Sequence, residues 1–328
     1  MYSVKGEPTL DAVREGVRIV RGGVHFLIGF GGGSAMDAAK AIAAVAPNSG
    51  EPLDYLEVIG KGRPLDNTPL PFIAVPTTAG TGAEVTRNAV LGSPEHGIKA
   101  SLRSPLMLAK VALIDPDLTL DLPPQVTATT GLDALTQLIE PYVSVRANAM
   151  TDLFCIEGMK RVSRALRVAY REGRNREARA SMAFASLLGG LALANAGLGV
   201  VHGFAAPLGG MLDAPHGALC AAVLPHGMRM NIRALRERAP ESEALRRYGH
   251  VARILTDNLH AEPEDGVTWV TALCRDLSIS PLCAHGLEAT QIQALVEKAA
   301  KANSMKGNPI VLTSGELSEI AERALRAG

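Results

Sequence analysis

The sequence has no excess of charge of either sign: 33 lysines and arginines stand against 33 aspartates and glutamates in 328 residues. No net field exists to gather nucleic acid or an anionic membrane, so small-molecule chemistry is the expectation. Cysteine is scarce, and Cys155, Cys220, Cys274 and Cys283 form no C-x-x-C pair. A chain of this size needs no disulfide staples, and the four read as reduced thiols in the cytoplasm. The N-terminus, Met1 to Asp11, lacks the apolar run of a signal peptide. Internal repeats and low-complexity tracts are absent as well. One charge-free stretch, Met182 to Val201, reaches the length of about 20 residues that spans a bilayer. Its glycines and alanines, Ser186 and Asn195 within it, and His202 directly after it favour a helix packed inside a globular domain.

What is present alternates in the first third. Thr9 to Val20 has helical spacing, Val24 to Phe30 is a short apolar run ending in glycines, and Ala35 to Val45 is again helical. After a proline- and glycine-rich stretch from Pro47 to Pro69, two further buried-strand candidates follow, Phe72 to Val75 and Val111 to Ile114. Short apolar strands separated by helices predict a parallel sheet with both faces covered. After Pro123 the strand signals stop. A helix starting near Pro124 is followed by periodic segments at Ala149–Ala169, Arg176–Leu198, after His216, Glu241–Leu259, Thr290–Ala302 and Glu316–Ala327, the last with Thr313 and Glu316 at capping-box spacing. At about 150 residues per domain the length suggests two units. The expectation is an α/β, Rossmann-like parallel-sheet domain over residues 1–120 and an all-helical domain over 121–328.

Two kinds of site follow. Gly29-Phe30-Gly31-Gly32-Gly33-Ser34 ends a strand and opens a helix, where free backbone N–H groups and the helix dipole favour phosphate; tight packing is the plainer use of such a turn. Asp37 reads as a capping partner or a ribose contact. Pro76-Thr77-Thr78-Ala79-Gly80-Thr81-Gly82 is a second hydroxyl-rich turn at a strand end, and ligands bind at that edge of open α/β sheets. In the helical half, Asp133 has Gln137 and Glu140 on its own helix face, and His202 and His216 flank a glycine-rich segment, Gly203 to Pro215. A carboxylate and two imidazoles suit a divalent transition metal with open positions. The other histidines, His226 among them, read as hydrogen-bonded core or surface residues.

The order Gly31-Gly32-Gly33-Ser34 with Asp37 and Lys40, then Pro76 to Glu84, then Gly131-Leu132-Asp133-Ala134-Leu135-Thr136, then His202 to Gly217 with Pro215-His216-Gly217, resembles the iron-containing alcohol dehydrogenases, relatives of the maleylacetate reductases and glycerol dehydrogenases. The resemblance runs from about residue 5 to the C-terminus. It implies reversible hydride transfer between a small alcohol or aldehyde and NAD or NADP, assisted by Fe2+ or Zn2+ in a cleft between the two domains; the apolar content permits a homodimer. It assigns the metal to Asp133, His202 and His216, the pyrophosphate to Gly31, Gly32, Gly33 and Ser34 near Asp37, and cofactor contacts to Thr77, Thr78, Thr81, Lys99 and Leu118.

Three departures stand against that pattern. Position 137, often a histidine ligand, is Gln137, a poorer donor for a transition metal, which points to a three-ligand site. Position 206, often a histidine near the substrate, is Ala206. Family members carry at least one more strand and helix before Gly6-Glu7-Pro8, about 30 residues or more, so an incomplete first domain with an exposed sheet edge is expected. The residue that separates NAD from NADP belongs to that part. The alternatives are a maleylacetate reductase-like enzyme working without metal, and a truncated, catalytically silent nucleotide-binding or interaction protein.

Overall fold

The computed structural model describes residues 1–4, 6–96 and 98–326. Helix α1 (Leu10–Val20) starts where the Thr9 hydroxyl accepts from the Ala12 amide, and Leu10, Val13, Val17 and Val20 form its buried stripe. Strand β1 (Leu27–Gly31) passes through Gly32 straight into α2 (Gly33–Val45). Strand β2 (Phe72–Pro76) follows, then β3 (Asn88–Ser93), β4 (Ile98–Arg103) and the short β5 (Val111–Ala112). Strands β1, β2 and β5 make a parallel sheet in the order β1-β2-β5, with Leu27 opposite Phe72 and Ile73 opposite Val111.

Two features differ from the expectation. The β3–β4 pair is an antiparallel hairpin outside that sheet. Its signal was a period of two, which buries Ala89 and Leu91 on one strand and Ala100 and Leu102 on the other. Nor is the sheet covered on both faces. Helix α2 packs on β1 and β2, while α1 packs on α2 and β3 instead. Ile28 and Phe30 on β1 and Val111 on β5 are therefore exposed.

From residue 124 on, the described chain forms helices joined by short turns: α3 (Pro124–Val143), α4 (Ala149–Arg171), α5 (Arg176–Ala196), α6 (Val200–Met211), α7 (His216–Arg238), α8 (Glu243–Thr256), α9 (Pro263–Asp276), α10 (Ile292–Ala300) and α11 (Ser314–Leu325). The capping box of Thr313 and Glu316 starts α11; the expected end of that helix at Ala327 lies outside the described residues. Helices α6 and α9 were not foreseen. Prolines hid them: Pro207 stands inside α6 and Pro263 opens α9. The charge-free run is two helices, not one. Among the described residues no single helix is long and apolar enough to cross a membrane, and α5 and α6, which pass together by length and composition, are bent by 99°.

Burial follows the same division. One buried cluster draws on Leu10 to Met107 and a small one on Met36, Phe72 and their neighbours. The largest runs from Ala128 to Leu325 and takes in Ala79. A Rossmann-like α/β unit is thus followed by an all-helical one, and the turn after β2 reaches into the helical core.

Candidate metal and cofactor site

Helix α3 has Pro124 in its first turn, where a missing N–H costs nothing, and almost everything after Ala128 is buried. Asp133, Gln137 and Glu140 are spaced to share one face of it, and all three are buried. His202 sits in the first turn of α6, whose N-terminus carries no cap of its own. Other segments supply one: the Val200 amide donates to Asn308 Oδ1 at 3.1 Å and the Val201 amide to Glu140 Oε1 at 2.6 Å. The second Glu140 oxygen lies 2.7 Å from His202 Nδ1. This holds the proton on Nδ1 and leaves Nε2 facing Asp133, the arrangement that orients metal-binding histidines. His216 is the first residue of α7, behind Pro215.

These elements converge on one carboxylate oxygen. Asp133 Oδ1 is 3.4 Å from His202 Nε2 and 3.8 Å from His216 Nε2, and the two imidazole centroids are 5.5 Å apart. Asp133 Oδ1 is buried and has no hydrogen-bond partner. A buried carboxylate oxygen in that state is costly unless a cation completes it. Gln137 Oε1 is also buried without a partner. Cys220, one turn after His216, brings its sulfur within 3.5 Å of His216 Nε2. One donor atom from each of Asp133, His202, His216 and Cys220 lies within 4.8 Å of the others.

The charges are mutually tuned. Burial pushes the Asp133 carboxyl up, but His216 and His202 outweigh it and hold it below its usual range. Burial pulls His202 down, yet the Cys220 sulfur, Asp133 and Glu140 raise it well above the ordinary imidazole value. His216 is pushed up to about 9, chiefly by the Cys220 sulfur and, against burial, by Asp133. Without an ion, protons neutralise this negative cluster. An ion bound there displaces them. The donor chemistry, the unpartnered oxygen and the orientation of His202 all fit a divalent metal.

The second half of the site is the pair of turns at the strand ends. Gly31, at φ 150°, closes β1 and its carbonyl accepts from the Thr77 amide at 2.9 Å. Gly32 caps α2 without a side chain, and no acidic residue occupies the first turn of that helix. Free N–H groups with no competing carboxylate are what a pyrophosphate needs. The two turns face each other: a Cβ on Gly32 would stand 3.5 Å from Thr78 Oγ1, and one on Gly33 would stand 2.9 Å from Thr81 Oγ1. Ser34 continues the first turn of α2. Gly82, at φ 60°, meets α5 backbone to backbone, since a Cβ there would lie 2.4 Å from Gly190 Cα. Gly80 lies against Thr130 in the same manner, on the helix that carries Asp133. The cofactor-type turn and the metal-type helix therefore adjoin.

Other candidates have uses within the chain. The Asp37 carboxylate accepts from the Val90 amide at 2.9 Å and pairs with Lys40 Nζ at 3.0 Å. Lys40 is fully buried and donates to Ala83 O, Thr86 Oγ1 and Asn88 O. Together they staple α2 to β3. Lys99 Nζ is 3.3 Å from Glu7 and lies beside Gly209 of α6. Leu118 is half-buried in the short helical turn before α3. Sequence reasoning missed Glu140 as the orienting group and Cys220 as a neighbour of the cluster. A helical offset of four from His216 was the available signal for the latter.

Residues 1–116 match the family model described as iron-containing alcohol dehydrogenase, and residues 127–325 match the one described as Fe-containing alcohol dehydrogenase family, C-terminal. The chain belongs to the iron-containing alcohol dehydrogenase family. Alcohol dehydrogenase 4 of Schizosaccharomyces pombe is 36% identical over 98% of this chain and 74% of that protein. A crystal structure of 1,3-propanediol oxidoreductase, 34% identical, superposes with a TM-score of 0.90 over 98% of this chain and 82% of the other. A sulfoacetaldehyde reductase from Bifidobacterium kashiwanohense in complex with NAD+ is 29% identical, with a TM-score of 0.87 over 99% of this chain and 83% of the other. As a member of this family the chain is an oxidoreductase of the alcohol dehydrogenase type.

Proposed function

We propose that the chain interconverts a small alcohol and its carbonyl compound with NAD or NADP, using a divalent ion held by Asp133, His202 and His216. The observation that carries this is Asp133 Oδ1, buried without a partner between two imidazole nitrogens. A reaction without metal would leave that oxygen with imidazole contacts of 3.4 and 3.8 Å only. An ion bound there supplies Lewis acidity toward the substrate oxygen while a nicotinamide ring accepts or delivers the hydride.

The protein's own part is binding, orientation and charge. Asp133 lowers the net charge of the cluster. Glu140 keeps the Nδ1 proton of His202 in place, so that the ring offers Nε2. Gly31, Gly32, Gly33 and Ser34 present N–H groups to the pyrophosphate, while Thr77, Thr78 and Thr81 offer hydroxyls to phosphate and ribose. Lys99 and Leu118 are proposed at the nicotinamide side. Asp37 then acts on the cofactor turn indirectly, by fixing α2. We further propose a division into units near residue 120, a cytoplasmic location consistent with four free cysteines, and a homodimer with neither nucleic acid nor membrane as a partner.

The test is to follow reduction of NAD and NADP with a panel of short alcohols before and after chelation, measuring bound metal in parallel. Chelation should abolish turnover, and His216→Ala should lose metal and activity together. Full turnover by metal-free protein, or normal metal content in His216→Ala, would overturn the ligand assignment.

A further inference from the structure

The three-ligand reading leaves Cys220 without a task. Its side chain is fully buried, yet the sulfur stands on the face of α7 that carries His216 and lies within 4.8 Å of a donor atom of each of the other three residues. The spacing can be compared with that of a real ion. Around a tetrahedral centre with metal–nitrogen bonds of about 2.0 Å and metal–sulfur bonds of about 2.3 Å, a nitrogen and a sulfur donor are about 3.5 Å apart, and two nitrogen or oxygen donors about 3.3 Å. Here the sulfur–nitrogen separation is 3.5 Å and the oxygen–nitrogen separations are 3.4 and 3.8 Å. A second, independent observation points the same way: Asp133 is almost wholly buried and its Oδ1, aimed into this space, has no partner. Gln137 offers a rival donor on α3, an amide oxygen, which binds borderline metals less well than sulfur does.

We propose that Cys220 is the fourth protein ligand, giving an Asp-His-His-Cys set that selects a zinc-class ion over ferrous iron and leaves the substrate oxygen to enter as a fifth donor. The proposal rests on the metal site argued above and adds its donor count and metal preference. Bound to the ion, the sulfur would be a thiolate, and the protons held by the cluster would be released to solvent. With one carboxylate and one thiolate, the ligands cancel the ion's two positive charges. A soft sulfur also favours zinc beyond what an oxygen and two nitrogens provide.

Cobalt(II) is the probe, because a thiolate ligand gives it an intense near-ultraviolet charge-transfer band that oxygen and nitrogen ligands do not. Metal-free protein should take up one cobalt per chain and show the band. Cys220→Ser should keep the cobalt and lose the band, whereas Cys155→Ser should keep both. The ratio of zinc to iron affinity should fall about tenfold or more in Cys220→Ser, a difference of about 1.4 kcal/mol. Cobalt bound by the wild type without the band, or a band that survives in Cys220→Ser, would overturn the fourth ligand and leave the three-ligand site standing. No cobalt uptake by the wild type would overturn both. X-ray absorption of the zinc-loaded wild type needs no variant: a sulfur at about 2.3 Å is expected, and its absence refutes the proposal.

Discussion

Glu140→Gln isolates orientation from ligation, because the residue touches the ligand and not the ion. Its two oxygens accept from different donors, the Val201 amide at 2.6 Å and His202 Nδ1 at 2.7 Å. Glutamine keeps the shape but has one acceptor and one donor. If the amide nitrogen faces His202, Nδ1 must become the acceptor and the proton moves to Nε2, the nitrogen that should hold the ion. If it faces Val201 instead, two N–H groups oppose each other at the start of α6. Either outcome forfeits a buried, charge-assisted bond of about 1.5–3 kcal/mol. The first removes it from metal binding and the second from folding. In the first case metal affinity should fall about 10–100-fold, the usual effect of losing a group that orients a ligand; in the second the unfolding midpoint should fall instead. The assay is chelator competition on the holoprotein, together with urea unfolding of the metal-free protein. Glu140→Ala leaves His202 Nδ1 without this acceptor whichever way a glutamine would turn; an unchanged dissociation constant in that variant, beside a lowered unfolding midpoint, would show that Glu140 only caps α6, and the orientation argument would fail.

Two further outcomes are expected. Gly33→Val should raise the cofactor KM about tenfold or more, a loss of about 1.4 kcal/mol, because its branch meets Thr81 at 2.9 Å; Gly32→Ala, with 3.5 Å to Thr78, should change KM far less, and equal KM values for both would return the turn to a packing role. His226 has a buried Nδ1 without a partner, and burial, then Arg229 and Arg323, pull it from 6.5 down to about 4. The unfolded chain therefore takes up a proton that the folded one refuses, and stability falls as pH drops from 6.5 toward 4, by about 2 kcal/mol at pH 5. His226→Gln should flatten the pH dependence of the urea midpoint over that window, and an unaltered slope would contradict the burial argument.

Much of this was legible because periodicity reports burial. The stripe of α1, the strand before Gly31, the capping box of α11 and the long periodic helices were all readable. What escaped was set by contacts between distant segments. The hairpin of β3 and β4 has strands only six residues long, and its burial depends on packing against α1, α2 and α6. The uncovered sheet face could not be read from β1, whose Ile28 and Phe30 look like core residues but are exposed. In the site, Asp133, His202 and His216 were readable as residue types, and the structure brings them together. Glu140 was noticed only as a neighbour on the Asp133 face. Its use depends on α6 starting where it does, which no local signal announced.

That start is where fold and chemistry meet. The charge-free run from Met182 to Val201 breaks at Gly197, which has φ 72°, and resumes nearly at a right angle in α6. Gly199 permits the break: a Cβ there would stand 3.0 Å from both Asn308 Oδ1 and Glu140 Oε1. The bend frees the first amides of α6, and those two acceptors take them up. Asn308 is held by Asn231, which also donates to Tyr248. Every member of this network is buried. Loss of one leaves another unsatisfied, so the position of α6 is specified sharply. His202 inherits that specification, being two residues into the helix and tied to the same Glu140. Gly197 and Gly199 thus let a polar network form beneath the run, and the network aims the imidazole at Asp133.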